Sequence, residues 1–214
     1  MAQRRKVGNM LGLAVLSAVA GRPMHPYEMA SVLRARGKDD DMKLKWGSLY
    51  TVVGNLEKHG FIEAVESGRQ GGRPERTVYR ITDAGYGEMA DWVRELIGVP
   101  EPEFPRFKAG LSVMGVLSPD EVTALLLERI ALLEKRVAHL RATLAEHGDV
   151  PRVFLIETEY DLAMHEAEAA WVRAMLAEFT DGSLPGLAEW REFHRTGAVP
   201  PELADLAERG ATKD

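Results

Sequence analysis

The stretch WGSLYTVVGNLEKHGFIEAVESGRQGGRPERTVYRITDAG, residues 46–85, changes its hydrophobic period twice. In its first third, Leu49, Val53 and Leu56 recur at helical steps, Ser48 stands where a cap is wanted and Gly60 supplies a stop. The opposite side of the same helix repeats Ser48, Thr51, Asn55 and Lys58, a stripe able to form hydrogen bonds, with Tyr50 at its edge. Gly54 costs a helix interior about 1 kcal/mol relative to alanine, a cost that close packing or a close approach to DNA can offset. After Gly60 the segments FIEAVE (61–66) and TVYRIT (77–82) alternate in the period of strands, so the glycine-rich run between them reads as a hairpin loop. Helical spacing then returns through Met89, Val93 and Leu96, with Thr82 or Asp83 as the cap.

Two more helices precede this stretch. Residues 7–20 are apolar on most sides and end at Gly21-Arg22-Pro23. The next helix opens at Pro26, a residue favoured in the first turn, turns Met29, Val32 and Leu33 inward, and stops at Gly37. Arg4, Arg5 and Lys6 ahead of the first helix imitate the basic start of a secretory signal. The apolar run behind them is far shorter than the roughly 20 residues of a membrane span, and a buried first helix is the alternative. Helix, helix, helix, strand, loop, strand, helix within roughly 90 residues is the order of a winged helix-turn-helix. Trp46 fits its core better than its surface.

The remainder is mainly α. GVPEPEFPRF carries three prolines and reads as a connector. Ser118-Pro119 opens a helix in which Leu126, Ile130, Leu133, Val137, Leu140 and Leu144 alternate steps of 4 and 3, with leucine at d and β-branched residues at a, the pattern of a two-stranded coiled coil. A second long helix after Pro151 aligns Ile156, Tyr160, Met164, Ala167, Trp171 and Met175, and a short one around Trp190 packs back on it. The expected organisation is a winged domain over 1–98, a connector over 99–110, an antiparallel helical hairpin serving dimerisation over 111–200 and a tail over 201–214.

Charge divides the same way. Residues 1–90 hold 14 Lys and Arg against 10 Asp and Glu, and the rest holds 13 against 23, so a basic front joins an acidic back. The absence of cysteine removes disulfides and thiolate chemistry and leans toward a reducing, cytoplasmic setting. His165-Glu166 lacks the second histidine of a zinc-protease helix, the glycine loop lacks the Lys-Ser/Thr of a phosphate loop, and no serine sits in a nucleophile elbow. These patterns suggest no enzyme and no cofactor.

A winged helix-turn-helix offers its third helix to the DNA major groove and its hairpin to the backbone. Asn55 can pair with adenine, Ser48 and Thr51 can reach bases or phosphates, Lys58 suits phosphate, and Arg69, Arg73 and Arg76 can neutralise phosphates. Tyr27, Lys45 and Tyr50 complete the DNA-facing set. Solvated loop and helix charges are the plain alternative for the same residues.

GSLYTVVGNLEKHGFIEAVESGRQGGRPERTVYRITDAG resembles the PadR family of transcriptional regulators at Gly47, Leu49, Tyr50, Leu56, Glu57, Gly60, Gly72, Arg73, Pro74, Tyr79, Thr82 and Gly85, and MHPYEM resembles the family's second-helix opening. Asn55 departs from it, standing where a basic residue is frequent. The resemblance implies an effector-responsive repressor that binds a double-stranded DNA operator as a homodimer, with the heptad row Leu126 to Leu144 in the dimer and no membrane partner. Tyr160, Met164, Trp171 and Met175 suit a small apolar or aromatic effector, or a dimer core. A coiled-coil adaptor whose winged domain binds protein is the competing reading.

Overall fold

The computed structural model describes residues 5–38, 42, 44–68 and 76–198. The chain divides into two compact units between Pro102 and Glu103. The first contains α1 (Met10–Gly21), α2 (Pro26–Ala35), α3 (Leu49–Lys58), the strands β1 (Ile62–Gly68) and β2 (Arg76–Ile81), and α4 (Asp83–Gly98). The second contains α5 (Arg106–Leu111), α6 (Pro119–Glu146), α7 (Ile156–Asp181) and α8 (Leu187–Thr196).

α1 is the centre of the first core. Leu11, Ala14, Val15 and Leu16 are fully buried, and Asn9 accepts the Leu11 N–H at 2.9 Å to start the helix. Met29 and Leu33 of α2 and Leu49, Val52, Val53 and Leu56 of α3 close around it. Trp46 is half-buried against the same core, with the Arg34 guanidinium 4.5 Å over its ring. α3 begins at Leu49 with Ser48 in the N-cap position, but the cap makes no side-chain hydrogen bond to the helix. Trp46–Ser48 form a 3-10 turn, and the Ser48 hydroxyl donates to the Lys45 carbonyl at 2.8 Å, so it caps no helical N–H.

The two strands pair antiparallel from Ile62 opposite Ile81 to Gly68 opposite Arg76, with an irregularity between Ala64 and Glu66. Tyr79 extends the pairing by exchanging two backbone hydrogen bonds with Met24, of 2.9 and 3.0 Å. Thr82 then caps α4, accepting from Gly85 N–H at 3.0 Å while donating to the Gly60 carbonyl at 2.6 Å. Gly85 has no room for a side chain, since a Cβ there would stand 1.9 Å from the Phe61 carbonyl oxygen.

α4 turns a different face inward from the one its spacing suggests. Met89 packs against the core, but Val93 and Leu96 are 39% and 46% exposed, and Trp92 is buried instead. The cause lies before α1. The Arg5 guanidinium lies 5.2 Å over Trp92, donates to Glu88 at 2.9 Å and also pairs with Glu95, so the row Glu88, Trp92, Glu95 must face it. Burial works against the charge on Arg5, yet the two carboxylates outweigh it and raise its pKa.

In the second unit the heptad row of α6 finds its partner inside the chain. Leu126, Leu133, Val137 and Leu140 are buried, Ile130 and Leu144 are half-buried, and Ala169, Val172, Leu176 and Phe179 of α7 supply the facing seam. Ion pairs flank it on both sides. Arg129 with Glu168 and Arg136 with Asp161 (2.8 Å) lie at g, whereas Arg141 with Glu166 (2.7 Å) and Arg173 with Glu134 (2.9 Å) lie at e. In each set the partner number falls by seven as the other rises by seven, the signature of an antiparallel coiled coil.

Residues 106–111, all but the last inside the expected connector, form α5, and Phe107 packs edge-on against Trp171 with the Arg129 guanidinium 3.6 Å over its ring. α8 packs across the start of α6 and the end of α7: Leu187 is buried, Trp190 Nε1 donates to the Leu117 carbonyl at 3.1 Å, and its ring meets Phe179.

Candidate nucleic-acid interface

α3 is amphipathic in the strict sense that its two faces have different work. Its buried side anchors it to α1 and α2, and its exposed side carries Tyr50, Thr51, Gly54, Asn55 and Lys58. Thr51, Asn55 and Lys58 have no side-chain partner among the described residues, so their donors and acceptors are free for something outside the chain. Tyr50 is 67% exposed and stands beside them, and Lys45 is exposed just ahead of the helix. Tyr27, 74% exposed, opens α2, where its N–H is held by His25 Nδ1 at 3.2 Å. Ser48 is half-buried and its hydroxyl is committed to Lys45.

The helix is fixed in direction at its far end. The Tyr79 hydroxyl donates to Glu57 Oε2 at 3.4 Å, joining α3 to β2, and Phe61 N–H returns to the Leu56 carbonyl at 2.9 Å. Gly60, at φ 72°, makes the turn that allows this return. Burial first, and then the Glu57 charge, raises the Tyr79 pKa, which keeps the phenol protonated and donating. Glu57 and Tyr79 therefore position the exposed stripe, a task that a reading of α3 alone does not reveal; the signal was their place in the family pattern. Of the hairpin arginines, Arg69 and Arg73 lie outside the described residues, and Arg76 opens β2 opposite Gly68.

The residues considered for an effector do not meet in a cleft. Tyr160, Met164 and Trp171 are 64%, 47% and 43% exposed, and only Met175 packs against the second core. A depression of about 300 Å³ lies along the e flank of α6 and α7, lined by Glu134, Val137, Ala138, Arg141, Glu166, Ala169 and Arg173. Met164 and Trp171 occupy c positions, which lie toward the g flank on the other side of the seam. Among the described residues no group of three or more His, Asp or Glu could hold a metal ion, and no helix is long and apolar enough to cross a membrane.

A three-helix core with a two-stranded wing and an exposed polar third helix is the winged helix class, in which the third helix is the element offered to DNA. Residues 15–91 match the transcriptional regulator PadR-like family. The solved structures bear out the fold over most of the length. The chain is similar to Bacillus subtilis PadR in complex with operator DNA, at 19% identity and a TM-score of 0.65, covering 79% of this chain and 97% of that one. It is equally similar to the same protein in complex with p-coumaric acid, at 19% identity and TM-score 0.65 over 79% and 98% of the two chains. The Vibrio cholerae virulence activator AphA matches at 20% identity and TM-score 0.62, over 80% and 98%. No curated protein matches the chain.

Proposed function

We propose that the protein is a homodimeric repressor that binds a pseudo-palindromic operator and responds to a small apolar or aromatic effector. Each protomer inserts residues 47–58 into a major groove, where Asn55 pairs with adenine, Thr51 and Ser48 contact bases or phosphates, and Lys58 and Lys45 meet phosphates. The hairpin lays Arg69, Arg73 and Arg76 along the backbone, with Tyr27 and Tyr50 bordering the contact. The observation that carries this reading is the exposed, unpartnered stripe Thr51, Asn55 and Lys58 on a helix held from behind and at its end.

With the heptad row occupied within the chain, four of the exposed apolar side chains on the two long helices, Leu125 and Leu132 of α6 and Met164 and Trp171 of α7, are offered to a second copy. All four fall at c positions and so share the g flank of the hairpin. The B. subtilis PadR complex with p-coumaric acid supports effector response here, and the same exposed aromatic and methionine side chains are its candidate contacts.

The test is selection of bound fragments from the source genome, followed by salt titration on the recovered duplex. Arg73→Ala is expected to weaken recovered and random duplexes alike and to lower the salt slope by about 1. Asn55→Ala is expected to cost about 1–3 kcal/mol on the recovered duplex and to change which bases are preferred. If both variants bind as the parent does, the docking described here is wrong, and an absence of DNA retention at low salt favours the adaptor reading.

A further inference from the structure

Gly54 is unexplained by the fold. It lies in the interior of α3, where glycine is the least favourable residue short of proline, and it does not adopt positive φ. It is exposed, and a Cβ built on it would meet no atom of the chain within 4 Å. Gly85 shows what a structural requirement looks like in this protein, with backbone 1.9 Å from the added carbon. Nothing inside the molecule asks for a glycine at 54.

Its surroundings do. Gly54 follows Tyr50 and Thr51 by one turn, precedes Lys58 by one turn and adjoins Asn55, so it stands in the middle of the exposed stripe. The candidate readers Thr51 and Asn55 are short, and a side chain of two or three bonds reaches a base edge only if the helix backbone lies close to the groove. A side chain at 54 would stand between that backbone and the DNA.

We infer that Gly54 is a specificity-determining residue whose missing side chain lets α3 seat deeply enough for Thr51 and Asn55 to reach base edges. The inference rests on the DNA-binding reading proposed above. Phosphate contacts reach the duplex from longer side chains and tolerate a shallower seat, so the loss on filling the position falls on sequence-specific binding.

The test compares the full-length protein with Gly54→Ala and Gly54→Ser on two probes, a duplex enriched by the parent from a random-sequence pool and the unselected pool itself. Gly54→Ala is expected to raise Tm by a few degrees, because alanine suits a helix better. It is expected at the same time to lose at least tenfold in affinity for the enriched duplex while losing much less on the unselected pool, and Gly54→Ser to lose as much or more. Alanine binding the enriched duplex as tightly as the parent overturns the inference and leaves the DNA-binding reading intact. A lower Tm for Gly54→Ala also overturns it, since the glycine would then serve the fold. A parent that enriches no duplex defeats the DNA-binding reading and the inference together.

Discussion

Gly54 of α3 and Gly85 of α4 carry opposite meanings, and only the local geometry separates them. At Gly85 the Phe61 carbonyl is fixed by Thr82, whose N–H donates to it at 3.1 Å while its hydroxyl holds the Gly60 carbonyl. The neighbour that an added methyl would strike is therefore backbone and cannot step aside. Gly85→Ala is expected to destabilise the first unit by about 3 kcal/mol or more, the scale of strained overpacking, and urea unfolding followed by near-ultraviolet circular dichroism measures it. A shift of the midpoint below about 0.5 kcal/mol would show that α4 can move away from the β1 entry. The resemblance motif ending in Thr82 and Gly85 is thus a piece of packing: the threonine caps the helix and the glycine lets the helix come near.

At the scale of elements, what was legible in the sequence is what depends on one helix alone. The polar stripe of α3 and the heptad of α6 came directly from spacing, because a period within one helix needs no knowledge of its neighbour. The buried faces of α4 and α7 did not. On α7 the large side chains Ile156, Tyr160, Met164, Trp171 and Met175 suggest a core, but their steps of mostly four wind away from a partner that repeats every 3.5 residues. The seam uses Ala169, Val172, Leu176 and Phe179, where small residues let α6 approach and the steps are 3, 4 and 3. On α4 the decisive partner was Arg5, some eighty residues away in sequence, which no local pattern can announce. The antiparallel seam makes its own forecast. Leu133→Ala is expected to cost about 2–4 kcal/mol through a buried cavity, whereas Arg141→Ala, which removes an exposed pair with Glu166, is expected to cost less than about 1 kcal/mol. Equal costs in thermal melts at one protein concentration would mean that the flanking charges, and not the leucines, hold the two helices together.

At the scale of the whole molecule the proposed operator raises the question of how one chain would read a two-fold site. A single α3 offers few base contacts, and bivalent attachment multiplies a weak half-site affinity by about 10²–10⁴ without any new contact. In the proposed homodimer, assembly would therefore set operator affinity without touching the DNA. The row that spacing alone would have assigned to it, Leu126 to Leu144, is occupied by α7 of the same chain, so damage there unfolds the unit and says nothing about assembly. Trp171 separates the two effects. It is 43% exposed, touches Phe107 at one edge and lies outside the seam, so Trp171→Glu should leave most of the fold's stability in place while putting a charge into the flank offered to a second copy. The expected result is a monomer by sedimentation, a helical spectrum like the parent's, and operator affinity reduced by two orders of magnitude or more with half-site binding unchanged. A dimer that persists in Trp171→Glu would move the interface off the g flank. A monomer that still holds the full operator as tightly as the parent would show that the two half-sites are not read by linked protomers.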